Sequence, residues 1–310
     1  VRFDRPDIIR PPSEWDSYYL PLTAGCSNNT CAFCSFYGAK LRFRDEDEIK
    51  REIDALALYV RHGVNTPGLP SVVYSVASQW NGRKIFLQDG DALVYPQEKL
   101  MRILSYLGSK FPKLERVASY ATPQDILRHK PDDLRALHEQ KLGIIYMGVE
   151  SGDEAILREI GKGVTYAQLV EAGKKVKESG ILLSVTVILG LGGPGGSIRH
   201  ARETARILTE IDPDYAGALT LMVVPGTPTA EAVSTGRLKL LDPFESLDEL
   251  RLIVAESQFT RCFFSSMHAS NYFALRGTLP DDRDRLLGEL DAIRHRRDPK
   301  LLRPEFMRGL

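Results

Sequence analysis

The chain has 310 residues, 41 basic and 41 acidic, for a formal net charge of zero, with 43% hydrophobic and 26% charged content. The length allows a sizeable core in one or two domains, and the balanced charge gives no global field that would draw nucleic acid or a membrane. Four cysteines, three of them crowded into nine residues, do not make a disulfide framework. No run of eighteen apolar residues is present and the first twenty residues carry charges and prolines, so the reading is a cytoplasmic, reducing setting.

In chain order, residues 1–16 are polar and proline-rich and are expected at the surface. A short strand is predicted over 17–22, then a helix over 45–61, with acids early and Arg61 late as the helix dipole prefers. Residues 62–80 read as a long connection. A buried strand over 84–87 ends in Gln88-Asp89-Gly90-Asp91, and a helix follows over 96–111. Strand 116–120 precedes a helix over 131–140 with Pro131 in its first turn. Strand 143–149 ends in Glu150-Ser151-Gly152. Thr165 and Gln168 form a capping-box pattern for a helix stopped by Gly180. Residues 181–189 are a nearly continuous apolar strand, as when both faces are covered. It runs into Gly190-Leu191-Gly192-Gly193-Pro194-Gly195-Gly196, a helix over 198–211, and a last strand over 214–224.

Six strands alternating with helices demand parallel pairing with right-handed crossovers. Every distinctive loop follows a strand, and in such folds the carboxyl ends of the strands form the active face. Residues 1–227 are therefore read as one α/β unit with an N-terminal extension. Residues 228–310 read as a helical cap packed on it, with amphipathic helices over 246–256 and 281–294. The Arg-rich final thirty residues have acids interleaved throughout, the mark of a solvated helix face.

The chemistry concentrates in Gly25-Cys26-Ser27-Asn28-Asn29-Thr30-Cys31-Ala32-Phe33-Cys34-Ser35-Phe36-Tyr37, where Cys26, Cys31 and Cys34 have the spacing C-x4-C-x2-C. Converging thiolates select zinc, copper(I) or an iron–sulfur cluster. A closed zinc site or a fully protein-held cubane needs four ligands, and no second cysteine pair exists to complete one. The spacing points to a four-iron cluster with one iron open to a ligand. A zinc loop completed by a distant His or by Cys262 is the alternative.

This loop resembles that of the radical S-adenosylmethionine (SAM) enzymes, which usually read C-x3-C-x2-C with an aromatic before the last cysteine, the place of Phe33. The extra residue between Cys26 and Cys31 is similar to branches that read G-C-x4-C-x-F-C. The resemblance implies a partial (β/α)6 barrel over about residues 15–227. It implies a [4Fe–4S] cluster on Cys26, Cys31 and Cys34, SAM on the open iron, and reductive cleavage to a 5′-deoxyadenosyl radical. It also implies a reductant such as a flavodoxin or ferredoxin, oxidoreductase chemistry, and a substrate that is a small molecule or a macromolecule. By the same resemblance Phe33 packs near adenine and the backbone near Phe36 reads its edge. Asp89, Gly90 and Asp91 stand where the family carries a Gly-Gly-Glu-like motif that binds the SAM ammonium. Glu150 corresponds to a ribose-binding residue, Lys162 to a carboxylate-binding one, Thr186 to a ribose contact, and Gly190 to a close approach of backbone to adenine.

Two other readings stay open. Gly190, Gly192 and Gly195 satisfy G-x-G-x-x-G, which would suit a dinucleotide-dependent oxidoreductase with a structural metal loop. A dinucleotide fingerprint, however, belongs to a first βαβ unit with an acid ending the next strand, and this run follows the fifth strand. The other is a non-catalytic iron–sulfur or zinc-binding protein. Cys262, His268, Asn271 and Tyr272 are candidates for a substrate pocket, Asn271 and Tyr272 because each can donate and accept a hydrogen bond.

Overall fold

The computed structural model describes residues 3–310, and the chain divides into two compact units. The first holds the described residues up to Asn29, with Gly38–Tyr146 and Lys175–Leu182; the second holds Thr30–Tyr37, Met147–Lys174 and Leu183–Leu310.

In the first unit, β1 (Tyr18–Pro21) is followed by a small antiparallel pair, β2 (Thr23–Ala24) with β3 (Arg42–Phe43). Then come α1 (Glu46–His62), α2 (Ser71–Ala77), β4 (Lys84–Gln88), α3 (Gln97–Lys110), β5 (Arg116–Tyr120), α4 (Pro123–Arg128), α5 (Pro131–Glu139) and the first part of β6 (Leu142–Glu150), whose residues from Met147 onward belong to the second unit. The main strands lie in the order β1-β4-β5-β6, all parallel. Tyr19 stands opposite Phe86, Phe86 opposite Ala118 and Ala118 opposite Ile144. These four residues and Tyr146 form one buried apolar cluster, with Tyr120 packed against it. Alternation along a strand puts every second side chain on the same face, so this layer lies on one face of the sheet.

Helix α1 shows how local chemistry sets an element. Asp45 caps it by accepting from the Asp47 and Glu48 N–H groups, three acids fill its first turn, and Gly63 closes it at φ 68°. Its buried stripe includes Glu52, whose carboxylate takes Arg5 at 2.8 Å and the Tyr18 hydroxyl at 2.7 Å. Burial by itself would raise the Glu52 pKa, but Arg5 and Arg44 outweigh it and hold it below the usual range.

The second unit contains α6 (Glu154–Glu159), most of α7 (Tyr166–Glu178), β7 (Leu182–Leu189), α8 (Gly193–Ile211), β8 (Tyr215–Thr220), α9 (Pro228–Ser234), α10 (Pro243–Glu256), β9 (Cys262–Ser265), β10 (Arg276–Leu279) and α11 (Arg283–Arg296). Strands β7, β8 and β9 are parallel, and β10 returns antiparallel on β9. The architecture is α/β with a mainly parallel sheet, in keeping with a partial barrel. The C-terminal segment supplies α9–α11 and also two strands, β9 and β10, that its helical pattern does not disclose. Among the described residues no helix is long and apolar enough to cross a membrane.

Most elements lie within a residue or two of their expected bounds. The connection over 62–80 holds the short helix α2, and α4 and α6 were also not anticipated. The glycine run is a correction: Gly193, Pro194, Gly195 and Gly196 form the first turn of α8, which starts five residues before the expected 198. Proline is tolerated in a first turn because its missing N–H is not needed there.

Candidate active site

In the first unit the strand ends of β1 and β4 hold the entrance to the cysteine loop. Leu22 N donates to Gln88 O at 2.7 Å. Gly25 lies at φ +90°, and a Cβ there would meet the Lys40 carbonyl oxygen at 2.8 Å, so only glycine fits this turn. Its N–H donates to Asp89 Oδ2 at 3.0 Å. The other oxygen, Asp89 Oδ1, is buried without a hydrogen-bond partner. Burial pushes the Asp89 carboxyl up to about 6 against the pull of the Gly25 and Gly90 N–H groups. The Ser27 hydroxyl lies within hydrogen-bond distance of both Asp91 and Asp125, and the Thr122 hydroxyl also reaches both. Burial first, and then the neighbouring Asp125, raise the Asp91 pKa well above the carboxylate range. Two buried carboxyls cannot both ionise so close together, so Asp91 holds the proton and Asp125 stays ionised. The loop base closes where Gly38 N donates to Asn29 O at 2.8 Å and Asn29 Nδ2 to Ala39 O at 2.7 Å.

The middle of the loop, Thr30–Tyr37, belongs to the second unit. Ala32 N donates to Ile160 O at 2.8 Å, Thr229 N to Ala32 O at 3.0 Å, and the Thr30 hydroxyl to Gly161 O at 2.8 Å. Gly161, at φ +65°, has no room for a side chain, since a Cβ would lie 2.5 Å from Thr30 O. Phe33 packs against Ile156, Ile160, Ile188, Leu191 and Leu221. The Phe36 N–H points at Cys34 Sγ at 3.5 Å. Burial raises the Cys34 thiol pKa, the Phe36 N–H opposes it, and Glu150 and Lys162 act on it electrostatically from either side.

Glu150 ends β6 at φ 65°, a left-handed conformation uncommon for a residue with a side chain. Its carboxylate takes Lys162 Nζ at 2.9 Å, with both side chains nearly buried. Gly148 makes room for this pair: a Cβ there would sit 1.9 Å from Glu150 Oε1 and 3.0 Å from Lys162 Nζ. Strand β7 carries the half-buried Thr186 opposite Gly217 and is followed by Gly190, φ +91°.

The expected site residues thus fall into two groups. Asp89, Gly90 and Asp91 gather at the loop entrance with Gly25 and Ser27, while Cys34, Glu150 and Lys162 gather within the second unit. The pocket candidates are engaged otherwise. Asn271 is buried, accepts from the Thr220 hydroxyl at 2.9 Å, and donates both amide hydrogens, to Ala218 O at 2.7 Å and Ser266 O at 2.9 Å. It ties β8 to the connection between β9 and β10, and both its amide hydrogens are engaged. The Tyr272 hydroxyl donates to Glu305 at 2.8 Å, and the Arg308 guanidinium lies 4.1 Å from its ring centroid. His268 Nδ1 accepts from Ser270 N at 3.1 Å, and Cys262 is fully buried on β9.

Sequence reasoning passed over Thr122 and Asp125, although Thr122-Pro123-Gln124-Asp125 carries a cap residue with proline at the first helical position. It also passed over Glu249 on α10, for which no local pattern exists: its partner is the Gly190 N–H, 59 residues away at 2.7 Å.

The donor chemistry fits an iron–sulfur cluster and a cationic ligand. The loop offers thiols and no competing imidazole, and the Cys34 sulfur receives a backbone N–H, the kind of hydrogen bond that tunes such clusters. The unpartnered Asp89 oxygen suits an ammonium group.

Comparison with known proteins agrees with this chemistry. The family model of the Radical SAM superfamily matches residues 20–208. A tRNA-2-methylthio-N(6)-dimethylallyladenosine synthase of Hahella chejuensis is 24% identical over 234 residues, covering 74% of this chain and 48% of that protein. The chain thus spans about half the length of that relative. Among solved structures, coproporphyrinogen III oxidase from Escherichia coli, a radical SAM enzyme, aligns with a TM-score of 0.53 at 17% identity, covering 77% of this chain and 51% of that one. A radical SAM methyltransferase from Kitasatospora setae, with cobalamin and a [4Fe–4S] cluster bound, aligns at 0.53 and 15% identity, covering 71% and 39%. These two show likeness of fold. With the family model spanning more than half of the sequence, the chain belongs to the radical SAM superfamily of enzymes, which use a [4Fe–4S] cluster and S-adenosylmethionine.

Proposed function

We propose that this protein binds SAM at a [4Fe–4S] cluster held by Cys26, Cys31 and Cys34, and directs the resulting radical to hydrogen abstraction from a substrate not yet identified. The observation that carries the reading is the setting of Cys34, whose sulfur accepts the Phe36 N–H close to the buried Glu150–Lys162 pair. When bound and reduced, the cluster supplies the electron that cleaves SAM to methionine and a 5′-deoxyadenosyl radical.

The chain's own groups bind and orient. Asp89 Oδ1 accepts from the SAM ammonium, Lys162 donates to its carboxylate, and Glu150 and Thr186 take the ribose. Phe33, the Phe36 backbone and the Gly190 turn, with Gly90 and Asp91 behind Asp89, shape the adenine and methionine ends. Residues 228–310 complete the substrate side, and a flavodoxin or ferredoxin delivers the electron. The zero net charge offers no basic field for an RNA backbone.

The test is anaerobic reconstitution, iron and sulfide analysis, and detection of 5′-deoxyadenosine after reduction with SAM present. Four irons per chain and SAM-dependent 5′-deoxyadenosine support the reading. Stoichiometric zinc with no iron, in protein purified anaerobically, overturns it.

A further inference from the structure

We propose that Glu249 is a positioning residue for the SAM site, reaching from α10 to hold the Gly190 turn at the end of β7. The inference rests on the proposed function, in which that turn faces the nucleoside.

Gly190 carries φ +91° and is buried, and a Cβ there would touch Leu221 and Leu241. The turn is therefore both conformationally special and enclosed. Its N–H has one acceptor, Glu249 Oε2 at 2.7 Å. Glu249 is itself 1% exposed, on a helix whose buried positions are otherwise chiefly Phe244, Leu247, Leu250, Ile253 and Val254. A carboxylate in that company costs stability unless it has a task, because burial disfavours its charge. Its second oxygen has no partner within hydrogen-bond distance. Glu249 also lines a cavity of about 370 Å³ between α8 and α10.

Among the described residues no charged cation pairs with it at close range. On α8, His200 Nε2 lies 4.0 Å away, but that nitrogen sits 3.0 Å from Ile188 O, and burial lowers the His200 pKa to about 4, so the ring is neutral. Ser197, on the same helix, offers a hydroxyl that favours the ionised form. From α11, Arg294 lines the cavity but is paired with Asp248 and Asp291. On α10 itself, Arg251 is paired with Asp291, and Glu245 and Asp248 add negative charge at the cavity wall. Burial thus pushes Glu249 up to about 7, with Gly190 and Ser197 opposing. A carboxylate accepts an N–H more strongly than a carboxylic acid does. A ligand that uses the turn as it stands therefore binds better to the ionised side chain, and its affinity rises as pH passes upward through about 7.

The experiment uses the full chain as wild type and as two variants: Glu249→Gln, which keeps an acceptor but cannot titrate, and Glu249→Leu, which removes it. SAM dissociation constants are measured on the reconstituted proteins between about pH 6 and about pH 8, a window centred on this carboxyl. Amide exchange of the peptide containing Gly190 is measured on the iron-free chain.

Glu249→Leu is expected to weaken SAM binding about tenfold or more, the loss of a charge-assisted hydrogen bond, with iron content unchanged and faster exchange at Gly190. Glu249→Gln is expected to stay within about threefold of wild type near neutral pH and to lose the pH dependence. Should Glu249→Leu fail to fold, the flattened profile of Glu249→Gln decides alone. Wild-type affinity and wild-type exchange in Glu249→Leu, or an unaltered pH profile in Glu249→Gln, overturn the inference while leaving the proposed function standing. A wild-type chain that takes up neither iron nor SAM overturns the proposed function, and this inference with it.

Discussion

Both units carry buried acids at the ends of parallel strands, and they treat them differently. In the first, Asp89 and Asp91 are buried with hydroxyl and N–H partners but no cation, and burial raises both pKa values. In the second, Glu150 is matched by Lys162 at 2.9 Å. The two kinds of acid differ in what they do to the fold in the absence of a ligand. An acid buried without a counter-charge opposes folding once it ionises, and stores a preference for whatever cation arrives. An acid with a buried partner supports the fold, and its loss strands the partner. Glu52, between Arg5 and Arg44, behaves in the second way and is held below the usual range.

The largest test removes the loop thiols. Replacing Cys26, Cys31 and Cys34 together by Ala should abolish iron binding and SAM cleavage, seen as loss of the cluster's visible absorbance. The far-ultraviolet circular dichroism should stay near wild type, because the loop is anchored through backbone groups and Phe33.

The next breaks the comparison on its paired side. Glu150→Ala takes the carboxylate at 2.9 Å away from the buried Lys162 and should cost about 3–5 kcal/mol in denaturant unfolding of the iron-free chain. The double variant Glu150→Ala with Lys162→Met should recover most of that loss; if it does not, the cost lies in the strand end and not in the charge.

On the unpaired side the sign reverses. The folded pKa of Asp89, about 6, lies above its ordinary value of 3.8, so the stability it contributes is present below pH 3.8 and lost as pH rises through 6. Asp89→Asn should therefore be more stable than wild type above pH 7, on the order of 2 kcal/mol, with the difference vanishing in acid. The same variant should bind SAM more weakly. Destabilisation of Asp89→Asn at alkaline pH would show that Asp89 is a structural acid like Glu150.

The smallest test touches the shared proton. Thr122→Ala removes the α4 cap and one hydroxyl bridging Asp91 and Asp125. It should cost about 1 kcal/mol, the usual value of a cap, and hydrogen exchange should report the loss in α4 before any loss of iron.

The sequence by itself determined the six alternating strands, the main helices between them and the chemistry of the loop. Capping residues, glycine stops and apolar runs are local signals, read within one turn or one strand, and β5 was anticipated at its observed bounds, Arg116–Tyr120. The cysteine spacing is likewise local, and three thiols in nine residues narrow the possible ligands without any fold. Only the tertiary structure decided which polar side chains are spent. Asn271 looked available because an amide can donate and accept, yet Ala218, Thr220 and Ser266 consume its donors and engage its oxygen. Ser27 meets partners 64 and 98 residues away, and Glu249 one 59 away. The strands β9 and β10 are legible only when β8 offers an edge to pair with. Such outcomes depend on which segments the packed chain brings within hydrogen-bond reach, a long-range property that composition, periodicity and spacing do not carry.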